Sequence, residues 1–368
     1  MSGDIILVIV VGTALAFDFT NGFHDTANVV ATSISTRAIG PRRAIAIASL
    51  LNFVGAFISL KVAAAVGKGF VDTHVVTTTV VFCGLIGAIA WNLITWSVGL
   101  PSSSSHALIG GLIGAVIAAH GWSGVNGHGV WSKLIVPAIF SPLIAFAAAW
   151  MSVLLAYRIV GRLRPGAVGR GFRLGQLASG GLLALSHGTN DAQKTMGVIT
   201  LALVAHGNLK ASSFHVPLWV VISAASAISL GTFTGGWRII KTMGTRIISM
   251  DPAQGFVAQT AGAAVILAAS TVGYPLSTTH VISGGIAGAG AGKRLSAVRW
   301  GVAGDILRAW ILTLPSAAIL AGVVYGFVRA FGTGAVGPVI ATGLMTGALA
   351  LTFIRRARQR AAPVPSPA

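Results

Sequence analysis

The residues of this chain with chemistry to offer fall into two pairs of short polar stretches. The first pair is Asn-Gly-Phe-His-Asp-Thr-Ala-Asn at 21–28 and His-Gly-Thr-Asn-Asp-Ala-Gln-Lys at 187–194. Registered on their glycines, Gly22 falls on Gly188 and Asp25 on Asp191, so each copy carries one carboxylate three residues after a glycine. The second pair begins at Pro101 and Pro275 and aligns Ser103 with Ser277, His106 with His280, and Gly110-Gly111 with Gly284-Gly285. Two different motifs recur in the same order at similar separation, which marks an internal duplication.

Both aspartate stretches interrupt long apolar segments. A carboxylate inside a bilayer costs a few kcal/mol or more, so Asp25 and Asp191 must be solvated by a cavity, paired, protonated or bound to a cation. Gly22 and Gly188 permit unwound backbone whose carbonyls can coordinate a cation, so a break in each segment is expected there. Ser103, Ser104 and Ser105, with Ser277, Thr278 and Thr279, each follow a proline and precede an apolar run, which is how a hydroxyl-capped helix starts. Two such starts facing one another offer N–H groups, positive dipole ends and hydroxyl donors, a combination suited to a tetrahedral oxyanion. Carboxylates beside an oxyanion would repel it unless a cation sits between them: a proton, a sodium ion, or a metal travelling with the anion. Co-transport follows from that conflict. Isolated glycine, serine and threonine in membrane helices usually serve packing and interhelical hydrogen bonds; duplication beside a proline and a histidine is what argues for a site.

The setting is set by composition. Charged residues are 9% of the 368 and hydrophobic residues 54%, against roughly a quarter charged in soluble domains, so the chain is read as an integral membrane protein. All seven acidic residues are aspartates. The net charge of +18 sits in short loops between apolar runs with no aromatic-interleaved groove, a pattern that orients a membrane protein and argues against nucleic acid as a partner. Cys83 is the single cysteine, which excludes an internal disulfide. Asp4 stands where a leader would be basic, so the N-terminal run is read as the first membrane segment. No Gly-x-x-x-x-Gly-Lys-[Ser/Thr] stretch occurs, so ATP is not expected to drive the protein directly.

Apolar runs divide the chain into a first repeat at 1–157, a basic connecting loop at 158–173, a second repeat at 174–354 and a basic, proline-rich tail at 355–368. About ten to twelve membrane segments are expected; 106–119 and 281–291 are too short to cross alone, which makes them hairpin candidates. Arg37, Arg42 and Arg43 follow the first aspartate motif where only Lys210 follows the second, whereas Lys293, Arg294 and Arg299 follow the second Ser/Thr motif where only Lys133 follows the first. Under the positive-inside rule, corresponding loops then lie on opposite sides of the cytoplasmic membrane, with the N-terminus outside and the C-terminus inside. The expected architecture is all-α and polytopic, in two inverted repeats with broken helices and re-entrant hairpins.

These motifs resemble the paired signature of the inorganic phosphate transporter (Pit) family, often written Gly-x-Asn-Asp: Gly-x-x-Asp within 21–28, Gly-Thr-Asn-Asp at 188–191, and the two Pro-x-Ser-[Ser/Thr]-[Ser/Thr]-His stretches. The resemblance covers most of the chain and implies a phosphate symporter of the inner membrane driven by protons or sodium, with a homodimer as its expected assembly. It implies an ion and phosphate site at Asp25, Asp191, Asn190 and Gln193, with phosphate coordinated by the two Ser/Thr runs. Asp25, Asn28, Asp191 and His24 are the expected cation or proton groups, with no resident cofactor and no dedicated metal site. The chain departs from the signature at His24, where asparagine is expected. That form resembles the bacterial, proton-coupled members, and it sets sodium coordination at the first motif against proton exchange on an imidazole.

Around this core, His106 and His280 are read as orienting the hairpins, Lys194 as neutralising Asp191 one turn away or touching phosphate, Asp305 and Arg308 as an intramembrane pair, and Asp18 as a proton site or a cap. The function read from all this is import of inorganic phosphate by proton or other cation symport, free or as a metal–phosphate complex. A sulfate permease, an anion channel and a membrane enzyme acting on lipid phosphates are the alternatives; a channel does not need paired buried aspartates, and no serine–base or metal-ligand cluster completes an enzyme.

Overall fold

In lipid every backbone amide must be satisfied within its own segment, and long uncharged runs therefore become helices. The computed structural model describes residues 2–332, 334–344 and 347; the tail expected at 355–368 and the end of the last apolar run lie outside the described residues. The first half contains α1 (Ser2–Ser35), α2 (Pro41–Gly55), α3 (Lys61–Gly69), α4 (Thr78–Val98), α5 (Ser104–His120), α6 (Gly127–Val130) and α7 (Val136–Val160). The second contains α8 (Pro165–His206), α9 (Leu218–Thr234), α10 (Trp237–Lys241), α11 (Pro252–Thr271), α12 (Thr278–Lys293) and α13 (Trp300–Ala330). The types recur in order: a long motif-bearing helix, two shorter pieces, a helix of 21 or 20 residues, a short Ser/Thr-initiated helix, and a long helix with an internal proline, Pro142 or Pro315.

By length and composition α1, α4, the stretch Gly127–Val160, α11 and α13 can each cross a membrane. Leu218–Thr234 and Trp237–Arg246 are together apolar enough for one more span, bent by 61° at the break between them. The 42 residues of α8 extend about 63 Å at 1.5 Å per residue, with Asp191 and Lys194 in their apolar part. At 17 and 16 residues, α5 and α12 are short and pack back on α4 and α11 as hairpins.

The halves interlock reciprocally. α1 packs on α9 while α8 packs on α2, and α5 is clasped by α13 of the other half while α12 is clasped by α7. One core gathers Ile6–Phe17 of α1 with Met196–Leu203 of α8 and the end of α5 around Ile113 and Val116. The other gathers Ala27–Ala31 of α1 with Leu183 and Ala184 of α8 and the end of α12 around Ile286 and Ala289. The two long helices therefore run antiparallel, and α5 and α12 point their N-termini at one another from opposite ends. That is the inverted arrangement which the loop charges imply.

Two expectations are corrected. Gly22 and Gly188 do not break the backbone, because α1 and α8 run helically through both. Their missing side chains admit neighbours instead: a Cβ on Gly22 would sit 2.3 Å from the Ile228 carbonyl oxygen of α9, and one on Gly188 would sit 2.1 Å from the Asn52 carbonyl oxygen of α2. Close backbone crossing is the common use of glycine between membrane helices. The basic connection expected at 158–173 shrinks to 161–164, since Pro165 opens α8 and its fixed φ suits the first helical position. Tertiary contacts hold this polar start, with Phe172 against Phe256 at 5.6 Å between ring centres and Arg173 Nε donating to the Thr36 carbonyl at 3.1 Å.

Candidate functional site

Each hairpin helix begins as its sequence directs. Ser103 accepts a hydrogen bond from the His106 amide at 3.2 Å, and Ser277 accepts one from the His280 amide at 3.3 Å. With the caps taking one amide each, the remaining first-turn N–H groups lack intrahelical partners and carry the positive ends of two dipoles. The next hydroxyls, Ser104, Ser105, Thr278 and Thr279, project where α1 and α8 carry their aspartates.

Asp25 is bound by three groups. His24 Nδ1 lies 2.6 Å from Asp25 Oδ1, the Ser104 hydroxyl donates to that oxygen at 3.0 Å, and Thr278 Oγ1 lies 3.4 Å from Oδ2. An N–H at His24 Nδ1 leaves Nε2 to the hydroxyls of Thr95 at 3.2 Å and Ser102 at 3.3 Å, which bond one another at 2.8 Å. Asp191 is held more firmly: Lys194 Nζ donates to Oδ1, and His187 Nε2 lies 3.0 Å from Oδ2. The Thr278 hydroxyl donates to Asp191 Oδ2 at 3.1 Å, so one side chain from α12 stands between the two carboxylates. Its single proton can serve only one at a time.

Repeat symmetry carries through to the next turn. Asn28 Nδ2 donates to Thr279 at 2.9 Å and Thr278 at 3.3 Å. Its counterpart in register, Lys194, reaches the opposite hairpin start, donating to Ser105 Oγ and to the Leu276 carbonyl at 2.6 Å. Asp25, Asp191, Ser104, Thr278 and Thr279 are all at most 2% exposed, so the site is closed from both sides.

Of the expected site residues, the fold brings Asp25, Asp191, His24, Asn28, Ser104, Ser105, Thr278 and Thr279 together. Ser103 and Ser277 serve as caps. Asn190 turns to α11, where its Nδ2 donates to Ser270 Oγ at 2.8 Å. Gln193 Oε1 accepts from the Val62 and Ala63 amides at 2.8 and 3.2 Å and so caps α3. His106 and His280 meet edge to face at 4.6 Å between ring centres, and His280 stacks on Trp310 at 4.0 Å. They fix the hairpins to one another by ring packing rather than chiefly by hydrogen bonds. Lys194 pairs with Asp191 as the i,i+3 spacing allows, and Asp305 pairs with Arg308 at 2.9 Å.

His187 is the residue that sequence reasoning missed. Its signal was present: it stands four residues before Asp191, on the same helical face, and in register with Asn21. Its Nδ1 lies 3.2 Å from Asn52 Oδ1, which orients the ring. One ligand atom from each of Asp25, His187 and Asp191 lies within 4.8 Å of the others, so this trio can accept a cation. No such cluster was expected from the sequence, because Asp25 lies far from the other two along the chain. Two carboxylates and an imidazole suit a proton or a divalent ion; sodium prefers an all-oxygen set, which His24 and His187 dilute.

Two inverted halves meeting head to head, with a buried carboxylate from each long helix beside two hydroxyl-bearing helix starts, form the architecture of a membrane transporter built from inverted repeats. The chain belongs to the phosphate transporter family, whose sequence profile matches it twice, at 21–168 and 162–321. It is 51% identical over 327 residues to the probable low-affinity inorganic phosphate transporter of Mycobacterium tuberculosis strain H37Rv, covering 89% of this chain and 78% of that one. With the protein of the same description from Bacillus subtilis strain 168 it shares 45% over 323 residues, covering 87% and 96%. Among solved structures it resembles one titled "The sodium-dependent phosphate transporter", with a TM-score of 0.77 and 26% identity, covering 88% of this chain and 99% of that one. It is a multi-pass membrane transporter and not an enzyme.

Proposed function

We propose that this protein imports inorganic phosphate across the cytoplasmic membrane by proton symport, with its N-terminus outside and its C-terminus inside. The observation that carries this reading is the Thr278 hydroxyl standing between Asp25 and Asp191, beside the facing starts of α5 and α12. Phosphate entering there exchanges the hydroxyl–carboxylate bonds for bonds to its own oxygens and gains the two dipoles. Its charge is tolerated only when the carboxylates are neutralised, which ties anion binding to cation binding.

Protons are favoured over sodium by His24. The imidazole takes the edge of Asp25 that a sodium ion would need, and its ring nitrogens can accept and release a proton. A second reading is favoured by the Asp25–His187–Asp191 trio: phosphate can enter as a complex with a divalent ion, which these ligands would receive as cargo.

Purified protein in proteoliposomes provides the test. Without sodium, an imposed inward proton gradient should drive accumulation of labelled phosphate, and excess sulfate should not compete. Accumulation that requires sodium, or equilibration without accumulation, would overturn the coupling; competition by sulfate would overturn the specificity.

A further inference from the structure

The buried carboxylate that this mechanism leaves unused is Asp18. It lies seven residues before Asp25 on α1, on the same face and about 10.5 Å nearer the N-terminal end. It is 0% exposed, and neither of its oxygens has a hydrogen bond of ordinary geometry. Thr195 and Asn21 flank it, and Thr195 Oγ1 and Asn21 Oδ1 are themselves buried without partners.

The charges that reach Asp18 are Asp191 and Lys194, both from α8. Asp191 repels it. The Lys194 ammonium has three protons, and they are taken by Asp191, Ser105 and the Leu276 carbonyl. The other elements packed on α1 offer nothing: α9 and α11 carry no titratable residue and α4 only Cys83. His106 and His280 face one another and Trp310, while Arg238, Lys241 and Arg246 belong to the segment packed near the C-terminal half of α1, where Gly236 and Gly244 abut Phe23 and Ala31. Arg42 and Arg43 on α2 are exposed. An ionised Asp18 would thus be a fully buried charge with no ion pair of its own and only Thr195 and Asn21 beside it, a costly state.

We propose that Asp18 is a second proton-binding group, held as the neutral acid and passing its proton toward Asp25 during the transport cycle. As an acid it keeps a carbonyl oxygen for the flanking Thr195 and Asn21 and carries one O–H in place of an unpaired buried charge. On the proposed orientation Asp18 lies on the outer side of the phosphate site, where a proton taken from outside arrives first. The inference rests on the proton-coupled reading for its role in transport, but not for the protonation itself.

Infrared difference spectroscopy of the reconstituted full chain separates the two. At neutral pH the wild type should show the C=O stretch of a protonated carboxylic acid that Asp18→Asn loses and Asp25→Asn keeps, and Thr195→Val, which leaves the carboxyl in place, should shift that band. In transport, Asp18→Asn should lose proton-driven accumulation relative to phosphate–phosphate exchange. Absence of an Asp18 band, a band that sodium abolishes, or an unchanged ratio of accumulation to exchange in Asp18→Asn would each overturn the proposal. A band lost in Asp18→Asn in a wild type that ignores proton gradients would uphold the protonation and refute the symport reading instead.

Discussion

Replacing Gly188 by alanine puts a methyl group 2.1 Å from the Asn52 carbonyl oxygen, where ordinary contacts begin at 3.4 Å. The next nearest atoms, Asn52 C and Cα, are also backbone, at 2.8 Å. No side chain can swing aside, so α2 and α8 must part by about 1 Å. Overpacking of this kind costs about 1–3 kcal/mol. The displacement also reaches the site, because Asn52 orients His187 at 3.2 Å and bonds Thr232 at 2.9 Å. Gly22→Ala should behave alike, meeting Ile228 of α9. Gly12→Ala, on the same helix as Gly22 with nothing within 4 Å of the new methyl, should instead gain about 0.5–1 kcal/mol from the lost glycine entropy. Unfolding free energies from detergent-denaturant titration would register the opposite signs. Equal stability of Gly188→Ala and wild type, or a loss in Gly12→Ala as large as in Gly22→Ala, would refute the packing role assigned to these glycines.

Ser104→Ala and Thr278→Ala each remove a hydrogen bond to a charged group, worth about 1.5–3 kcal/mol, so half-saturation for phosphate, normalised to inserted protein, should rise roughly ten- to a hundredfold; no change in either variant would remove the hydroxyls from the site. Lys194→Met strips Asp191 of its ammonium and should destabilise the protein by about 3–5 kcal/mol, much of it recovered in the Lys194→Met/Asp191→Asn double variant; a stable single variant would contradict the pairing. Asp251 caps α11, and although burial opposes its charge, hydrogen bonds from Tyr157, the Gln254 amide and Lys293 hold its carboxyl below the usual carboxylate range. A depressed carboxyl stabilises above its unfolded value, about 3.9, and loses that contribution as pH falls through the lower folded value. Asp251→Asn should therefore be less stable than wild type equally at pH 7 and 5, converging only below about pH 4; convergence already at pH 6 would reverse the assigned shift.

The duplication, the helix starts at Ser104 and Thr278 and the inverted halves were legible because they are patterns of spacing and charge. The pairing of Lys194 with Asp191 was legible for the same reason, being local to one helical turn. What was not legible depends on which surfaces meet. Gly22 and Gly188 carry the same sequence signal whether a helix unwinds or a neighbour presses close, and only the position of α9 and α2 decides it. Asn190 and Gln193 share a motif with Asp191 but leave α8 at other angles, one toward α11 and the other toward α3. The cation trio escaped notice because it joins i,i+4 partners on one helix to a residue from the other repeat. The start of α8 was hidden because the residues from Gly166 to Arg173 are poor in apolar periodicity, and packing at Phe172 and Arg173 overrides that weakness.

The claim on which the account depends is that Asp25 and Asp191, one from each repeat, form a single site coupling cation to anion. Labelled-phosphate accumulation by Asp25→Asn and Asp191→Asn in proteoliposomes under an imposed proton gradient, with insertion verified, tests it most directly. Each variant should insert and fail to accumulate phosphate above equilibrium. Wild-type accumulation by either one would contradict the account.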